Sequence, residues 1–537
     1  MSAVQKMEND WWLEADLQAG PRFPSTSTRE QRASVIKMTL LSSLNTWQIK
    51  RQLKEEVLRS VVTSQGKSNV DIDGIMTTCG LEARMKNSIY QIYRQAMNNC
   101  PALPDGLNPT LGYCADRLDY VEKAKLKWER RIRLELDAMA AEMGVPLQRG
   151  KVEEPPRHQV QDQADQAIRF VYDDNDLLDV LSNIINPNRS AVASKIPSMC
   201  LIKVELAVQD MSRLRTTFKE LDPTRRRAWS NTEDDGDRIK LFQRVYDQGL
   251  IPELRQHAKR GIPQAMRPKV WQKILGVEVS DSDRVYFYNI LESLKEWELV
   301  TDELFRLDVS LMASDDHYFV FEDMLADCMA VFSRDPWLCQ HASVRSQAND
   351  KDYSEEARRH LVFPPCGVVP FRGIVMYGAP LCYLYSDAPQ LYMVLRTLYA
   401  NYCCRLNTVA SNEGCILHLA RQFEHALQEA CPELFFHLVR VGAAPLKLVF
   451  SWLFFAFTGV LEVDQVLAVW DLVLAWDSLL VVPLVAAAIL AFREKRLLEA
   501  GSLEEAQAAL ADCTRLRAVP LLQLFLFRPV VPRLDQL

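Results

Sequence analysis

The second half of this chain contains two long apolar runs that limit what it can fold into. They extend from Leu448 to Leu461 and from Leu479 to Phe492, 14 residues each, between charged or polar neighbours. A membrane-spanning helix needs about 20 apolar residues, so both runs predict helices buried in a protein core. From about residue 239 to 527, apolar residues recur at helical spacing and glycine is sparse. This pattern predicts an all-α fold.

The composition narrows the class of protein. Of the 537 residues, 48% are hydrophobic and 25% are charged, which is typical of folded globular domains. Lys and Arg number 63 against 70 Asp and Glu, so the net charge is −7. An acidic balance disfavours nucleic acid as the main partner.

Cysteine usage and the first residues predict the compartment. The 13 cysteines are odd in number, contain no CxxC spacing and include only one adjacent pair, Cys403 and Cys404. Neither a disulfide framework nor a zinc site is predicted. The first 20 residues are acidic and lack the apolar centre of a secretory signal. We therefore expect a cytoplasmic protein without a membrane span.

The N-terminal part is predicted to be helical after a flexible arm. Residues 1–35 show neither helical nor strand periodicity, whereas 36–145 do show helical spacing. Within that region, Leu44–Thr63 and Leu81–Asn99 favour a helical hairpin. The clearest helix is Leu118–Met143, which has one apolar face and is followed by a glycine and a proline.

The segments that follow differ in composition. Residues 146–166 contain prolines and charges and predict a linker. Residues 167–238 form a mixed connecting segment, in which only Ile168–Tyr172 and Met199–Val204 are strand-like. The remaining predicted divisions are a helical domain over 239–527 and a tail over 528–537.

Three short patterns resemble ligand sites but are better explained structurally. Ser64–Ser68 ends like a phosphate-binding loop, yet Val61 stands where the first glycine belongs. Cys415 and His418 lie one helical turn apart among apolar residues, which favours core positions over a metal site. The arginine triplet 225–227 is followed at once by acidic residues, which favours a solvated loop. No metal, cofactor or self-contained hydrolase site is predicted.

Three blocks of the helical region occur in a recognisable order. They are Gly261-Ile-Pro-Gln-Ala-Met-Arg267-Pro-Lys-Val-Trp271, then Val369-Pro-Phe-Arg372-Gly373-Ile to Leu381, then Trp452 and Phe457 followed by Trp470-Asp471. Together they resemble the TBC (Tre-2/Bub2/Cdc16) domain of Rab GTPase-activating proteins, over about residues 239–527. The resemblance implies a multi-helix TBC-type domain whose partner is a Rab-family small GTPase.

The resemblance also implies two catalytic side chains, an arginine finger and a glutamine. Here the finger motif aligns with Asp308 retained and Leu311 at the arginine position. Arg372 occupies the position of the glutamine. Leucine carries no charge, and arginine has donors but no acceptor with which to orient water. Arg306 precedes Asp308 and is displaced from the finger position by five residues.

Two roles remain open for the other motif residues. Arg267, Trp271, Asp308, Gly373, Trp470 and Asp471 stand at motif positions. They are either contacts to a GTPase or core aromatics and buried ion-pair or capping residues. Between Leu311 and Arg372 lie 60 residues, and 335–367 is predicted to be an inserted loop.

The predicted function follows from the resemblance. It is a GTPase-activating protein for Rab GTPases whose catalysis is weak or absent, because both usual finger residues are replaced. The alternative is a catalytically inactive Rab-binding adaptor in membrane trafficking, with the N-terminal helices binding another protein. A helical scaffold that never contacts a GTPase is a third reading. The protein would be peripheral on endomembranes through its Rab, and magnesium and nucleotide would belong to the Rab.

Overall fold

The computed structural model of the chain describes Ala83, Lys86, Asn87 and Tyr90, and residues 118–147, 168–187, 199–223, 235–342, 364–513 and 515–527. The predicted arm, the tail, Ser64–Ser68 and the arginine triplet lie outside these residues. So do most of the predicted hairpin and most of the predicted 335–367 loop.

All regular secondary structure in the described residues is helical, so the all-α prediction is confirmed. The α-helices are α1 (Asp119–Met143), α2 (Asp174–Ser182), α3 (Met211–Thr217), α4 (Asp235–Gln248), α5 (Ile251–Ala258), α6 (Arg267–Leu275), α7 (Asp281–Ser293), α8 (Val300–Met312), α9 (Glu322–Arg334), α10 (Pro336–His341), α11 (Ala388–Asn401), α12 (Ile416–Ala430), α13 (Pro432–Arg440), α14 (Pro445–Phe454), α15 (Val463–Trp476), α16 (Val481–Phe492), α17 (Glu494–Glu499), α18 (Leu503–Leu510) and α19 (Ala518–Phe527). Short 3-10 helices cover Lys219–Leu221, Gln264–Met266, Phe319–Phe321, Ile374–Tyr377, Ala379–Tyr383 and Cys403–Arg405.

The chain divides into two compact units. Unit 1 comprises residues 1–115, 216–220 and 229–274, and unit 2 comprises residues 116–215, 221–228 and 275–537. Both units include residues on either side of the predicted boundary near 238. The domain boundaries stated above stay predictions.

In unit 1, one asparagine side chain joins two parts of the chain that are far apart in sequence. The Asn87 amide donates to the Gly249 carbonyl at 2.6 Å, and its oxygen accepts from the Ile251 N–H at 3.0 Å. Gly249 directly follows α4, and Ile251 is the first residue of α5. This side chain therefore satisfies an acceptor at the end of α4 and a donor at the start of α5, which helix ends leave open.

In unit 2, α1 fulfils the prediction for Leu118–Met143. Its apolar stripe is buried, and Gly144 ends it in the left-handed conformation at φ +66°. The end of α1 packs on the start of α8 through a buried cluster made of Leu136, Met139, Met143, Val300 and Leu304. The Val300 N–H also donates to the Pro146 carbonyl at 3.0 Å. A helix from the predicted N-terminal region is thus part of the same core as α8.

The two apolar runs behave differently. The second run forms α16, most of which is buried. The first run forms α14 only as far as Phe454, because Ala456 and Phe457 then adopt left-handed backbone conformations, with φ of +46° and +69°. Among the described residues, no single helix is long and apolar enough to cross a membrane, and only α13 and α14 together, bent by 104°, reach that length and composition.

The polar face of α12 binds a largely irregular stretch of unit 2, here called the 199–211 segment. Gln422 accepts from the Gln209 N–H and donates to the Gln209 carbonyl, both at 2.8 Å. The buried Glu424 carboxylate accepts from the N–H groups of Leu201 and Ile202 at 2.6 and 3.3 Å. These hydrogen bonds are made to main-chain atoms of the segment. They therefore do not depend on the identity of most of its side chains.

Neither strand-like run of the predicted connecting segment forms a β-strand. The run Met199–Val204 is irregular, with a turn and bends, and its Leu201 and Ile202 N–H groups donate to the Glu424 side chain of α12. Ile168–Tyr172 also forms no strand. His418 belongs to the same face of α12, where one ring nitrogen lies 3.0 Å from the Ala207 carbonyl and the other accepts from the Gly414 N–H at 3.3 Å. Both ring nitrogens thus have main-chain partners.

Candidate functional site

Asp308 joins the two segments that carry the predicted catalytic positions. It lies on α8 and is 3% exposed. One carboxylate oxygen accepts from the Gly373 N–H at 2.6 Å, and the other accepts from the Val375 N–H at 2.9 Å. These donors belong to the start of the 3-10 helix Ile374–Tyr377, here called the 374 helix. A carboxylate placed there caps open main-chain donors, as it does at an α-helix N-terminus.

The environment of Asp308 opposes its ionisation. Burial raises the pKa of this carboxyl from 3.8 to about 6, because an ionised group is poorly solvated inside a protein. The N–H groups of Val375 and Gly373 lower the pKa, as does the guanidinium of Arg372. Burial is the largest of these effects, so near pH 7 the carboxylate is held ionised at a cost to stability.

The contact of Asp308 with the N–H groups of Gly373 and Val375 is here called the Asp308 joint, and its geometry requires glycine at position 373. The φ of Gly373 is +92°, a conformation that residues with a side chain rarely adopt. A Cβ atom at this position would lie 2.6 Å from the Phe455 ring. Glycine therefore allows the main chain to approach both Asp308 and the turn that follows α14.

The 374 helix is also fixed on its other side. The Tyr377 hydroxyl donates to the Phe454 carbonyl at 2.7 Å, at the end of α14. Phe371 is fully buried, with its ring 5.0 Å from that of Phe454 and 5.3 Å from that of Tyr172. Arg372 thus lies between a buried aromatic residue and a glycine whose backbone is fixed.

Arg372 itself is exposed. Its main-chain N–H donates to the Tyr172 carbonyl at 3.2 Å, and its side chain is at the surface. The pKa of Asp174 is raised, mainly by burial, and the guanidinium of Arg372 partly offsets that rise. The arginine is therefore a surface cation whose charge favours ionisation of two carboxyl groups, Asp174 and Asp308.

Leu311 also reaches the surface. It follows Asp308 by three residues on α8, and 45% of it is exposed. Arg306 makes ion pairs with Glu303 and with Glu298, and the latter pair is 3.9 Å apart. The Arg306 side chain thus pairs with these carboxylates and makes none of the hydrogen bonds described for Asp308.

The remaining motif residues are buried. Trp470 and Asp471 lie on α15, and the Trp470 ring centroid is 6.4 Å from that of Tyr402. Arg267 and Trp271 lie on α6 in unit 1, whereas Asp308 belongs to unit 2. The structure therefore brings together Asp308, Gly373 and their neighbours Leu311 and Arg372. The roles predicted for these residues toward a GTPase stay predictions.

Among the residues that the structure describes, no group of three or more His, Cys, Asp or Glu side chains is placed to hold a metal ion.

Comparison with known proteins places the chain in a family. The Rab-GTPase-TBC domain family matches residues 371–498, which begin at Phe371 beside Arg372 and Gly373. The chain is 33% identical over 483 residues to TBC1 domain family member 19 of Homo sapiens, covering 86% of this chain and 91% of that relative. The chain belongs to the TBC domain family. The family predicted from the sequence motifs is therefore confirmed.

Two solved TBC domains are also similar. They are the Chlamydomonas flagellar RabGAP TBC domain, at 14% identity, and the Ypt/Rab-GAP domain of Gyp1p, at 15% identity, each with a TM-score of 0.41. The matches cover 60% and 55% of this chain and 97% of each solved chain.

Sequence reasoning missed one exposed part of this TBC protein. Phe319, Val320 and Phe321 form a short turn between α8 and α9, beside Tyr383 at the end of another 3-10 helix. The clue is an apolar run placed between Asp315-Asp316 and Glu322-Asp323 at a break between two helices.

Proposed function

We propose that this TBC protein binds a Rab-family GTPase and stimulates its GTP hydrolysis weakly. One observation carries the proposal: Asp308 holds the 374 helix against α8, and positions 311 and 372 on either side of this joint are both exposed. The α8 helix and the 374 helix would thus present two side chains to a partner. In this chain those side chains are a leucine and an arginine, in place of the family's arginine and glutamine.

The chemistry at these positions limits the rate. An arginine supplied in trans stabilises charge on the transferring phosphoryl group and increases the rate by about 10³ to 10⁵. Leu311 supplies no charge, so Arg372 is the cation available at the two positions. A guanidinium there stabilises charge but does not orient the attacking water, which falls to the glutamine of the Rab itself. Magnesium and nucleotide are bound by the Rab, and this chain needs no cofactor.

A second candidate function is a Rab-binding adaptor without catalysis, or pseudo-GAP. It is favoured by the absence of charge at Leu311 and by the ion pairs that occupy Arg306. In either role the protein acts in vesicle trafficking from the cytoplasm and reaches endomembranes through its Rab. Its N-terminal helical region then recruits another protein.

Single-turnover GTP hydrolysis by a panel of Rab proteins, with and without the full chain, separates these functions. Binding of each Rab in its GTP-like and GDP states is measured alongside. We expect GTP-selective binding of one Rab and an acceleration well below 10³-fold that Arg372→Ala abolishes. Arg306→Ala is the control and leaves the rate unchanged.

Each result has a definite meaning. GTP-selective binding with an unchanged hydrolysis rate identifies the adaptor. A rate increase that persists in Arg372→Ala removes the arginine from catalysis. If no Rab in either nucleotide state binds the folded protein, the Rab assignment is wrong and the scaffold reading takes its place.

A further inference from the structure

The turn between α8 and α9 exposes an aromatic patch, which we define as Phe319, Val320, Phe321 and Tyr383. Phe319 is 55% exposed, Val320 is 65% exposed and Tyr383 is 48% exposed. The Phe321 ring lies 5.0 Å from the Tyr383 ring in an edge-to-face arrangement. Clusters of exposed aromatic and aliphatic side chains are uncommon on protein surfaces and mark interaction sites.

The patch is fixed in place before any partner arrives. The Tyr383 hydroxyl donates to the His317 carbonyl at 2.6 Å. The buried Tyr318 ring lies 6.3 Å from that of Tyr383 and supports it from below. A surface held in this way loses little conformational freedom on binding, which favours affinity.

The surroundings of the patch are acidic. Between Arg306 and Arg334 the sequence contains six Asp or Glu residues and no Lys or Arg. Asp316, Glu322 and Asp323, which flank the patch in sequence, are exposed. An anionic membrane is repelled by such a rim, and two copies of the patch facing each other would bring acid against acid. The partner therefore has an apolar centre bordered by Lys or Arg.

The patch is continuous with the candidate site. The stretch from Asp308 to Phe321 and the stretch from Phe371 to Tyr383 are joined at two points: Asp308 binds Gly373 and Val375, and the His317 carbonyl binds Tyr383. Leu311 lies in sequence between these two joints. A partner that covers Leu311 and Arg372 thus meets the patch along the same pair of segments.

We propose that the aromatic patch is a docking surface for the GTPase, taking an apolar surface of that protein with basic residues at its edge. This inference rests on the proposed function. Affinity for the GTPase then comes largely from Phe319 and Val320 and does not depend on Leu311 or Arg372. Through these apolar contacts, a protein without the usual arginine finger still binds its GTPase partner.

The test measures the affinity of the full chain for the Rab identified in the panel. Phe319→Ser combined with Val320→Ser is expected to raise the Kd at least tenfold, the usual effect of removing central apolar contacts. Phe492→Ser is the matched control, because Phe492 is 57% exposed and lies at the end of α16 outside the patch. It is expected to leave the Kd unchanged.

A second variant tests the charge at the rim. Asp316→Asn with Asp323→Asn is expected to slow association and to weaken the dependence of affinity on salt, because steering by opposite charges is reduced. Both positions are exposed, so we expect the urea midpoint of unfolding to match that of the unaltered protein.

The outcomes separate this inference from the proposed function. If the Rab binds the unaltered protein and both double variants equally well, the patch is not the docking surface and the proposed function stands. If no Rab binds the folded, unaltered protein, the proposed function fails and this inference fails with it. A tenfold or greater loss in the serine variant, with none in Phe492→Ser, supports the inference.

Discussion

Replacing Asp308 with asparagine tests the physical cost of the joint between α8 and the 374 helix. Asparagine has nearly the same shape but keeps only one acceptor oxygen. Its NH₂ group then faces one of the two main-chain N–H donors, so two donors meet without an acceptor. The variant loses one charge-assisted hydrogen bond, worth about 1.5–3 kcal/mol. It also removes a buried charge, and this second effect depends on pH.

The pH dependence has a definite sign. The folded-state pKa of Asp308 is raised from 3.8 to about 6, so the folded protein binds more protons than the unfolded chain between these values. The favourable contribution is fully present below about pH 4 and is lost as pH rises through 6. A difference of about 2 pKa units corresponds to about 3 kcal/mol, of which about 2 kcal/mol falls between pH 4.5 and 7.5.

The assay is urea unfolding of the unaltered protein and of Asp308→Asn across that pH range. Subtracting the two free energies of unfolding cancels the other titrating groups, including Glu424, whose pKa burial raises to about 7. We expect the unaltered protein to lose about 2 kcal/mol relative to the variant from pH 4.5 to 7.5. A difference that stays constant, or that moves in favour of the unaltered protein as pH rises, would refute the reasoning.

Three further substitutions are tested by the free energy of unfolding in urea. Gly373→Ala meets both a positive φ and an aromatic ring, so we expect a loss of about 3 kcal/mol; Gly276→Ala, with a positive φ and open space, is the control and should lose about 1 kcal/mol. Asp302→Ala removes the partner of the buried Arg334 guanidinium and should cost about 3–5 kcal/mol, whereas exchange of an exposed residue has little effect. Gln422→Ala should cost about 1–3 kcal/mol and increase protease cleavage within the 199–211 segment, and unchanged cleavage would contradict that contact.

Helices with a clear apolar period were predictable from the sequence. The helix α1 has that period over six turns and ends at a glycine in the left-handed conformation, so both its existence and its end are local properties. The run that forms α14 was predictable only in part. Its left-handed turn at Ala456 and Phe457 contains residues that do not favour such a conformation, so local sequence gives no sign of it.

The candidate site was predictable residue by residue but not as a contact. A family motif picks out Asp308 and Gly373, yet 65 residues separate them and no periodicity relates the two. The run Met199–Val204 has strand-like composition but forms no strand, because β-propensity depends on context and here the Leu201 N–H donates to Glu424 of α12. The aromatic patch was missed because an exposed apolar turn looks like part of a core until the structure shows its exposure.

The main-chain contacts between α12 and the 199–211 segment bear on which fragments of this protein we expect to fold. A fragment starting at Phe371, where the family match begins, lacks the segment and leaves the buried side chains of Gln422 and Glu424 without their donors. A fragment that keeps the contact of α8 with α1 must begin before Asp119. The family match over residues 371–498 therefore omits α8 and the 199–211 segment, both of which contact residues inside it.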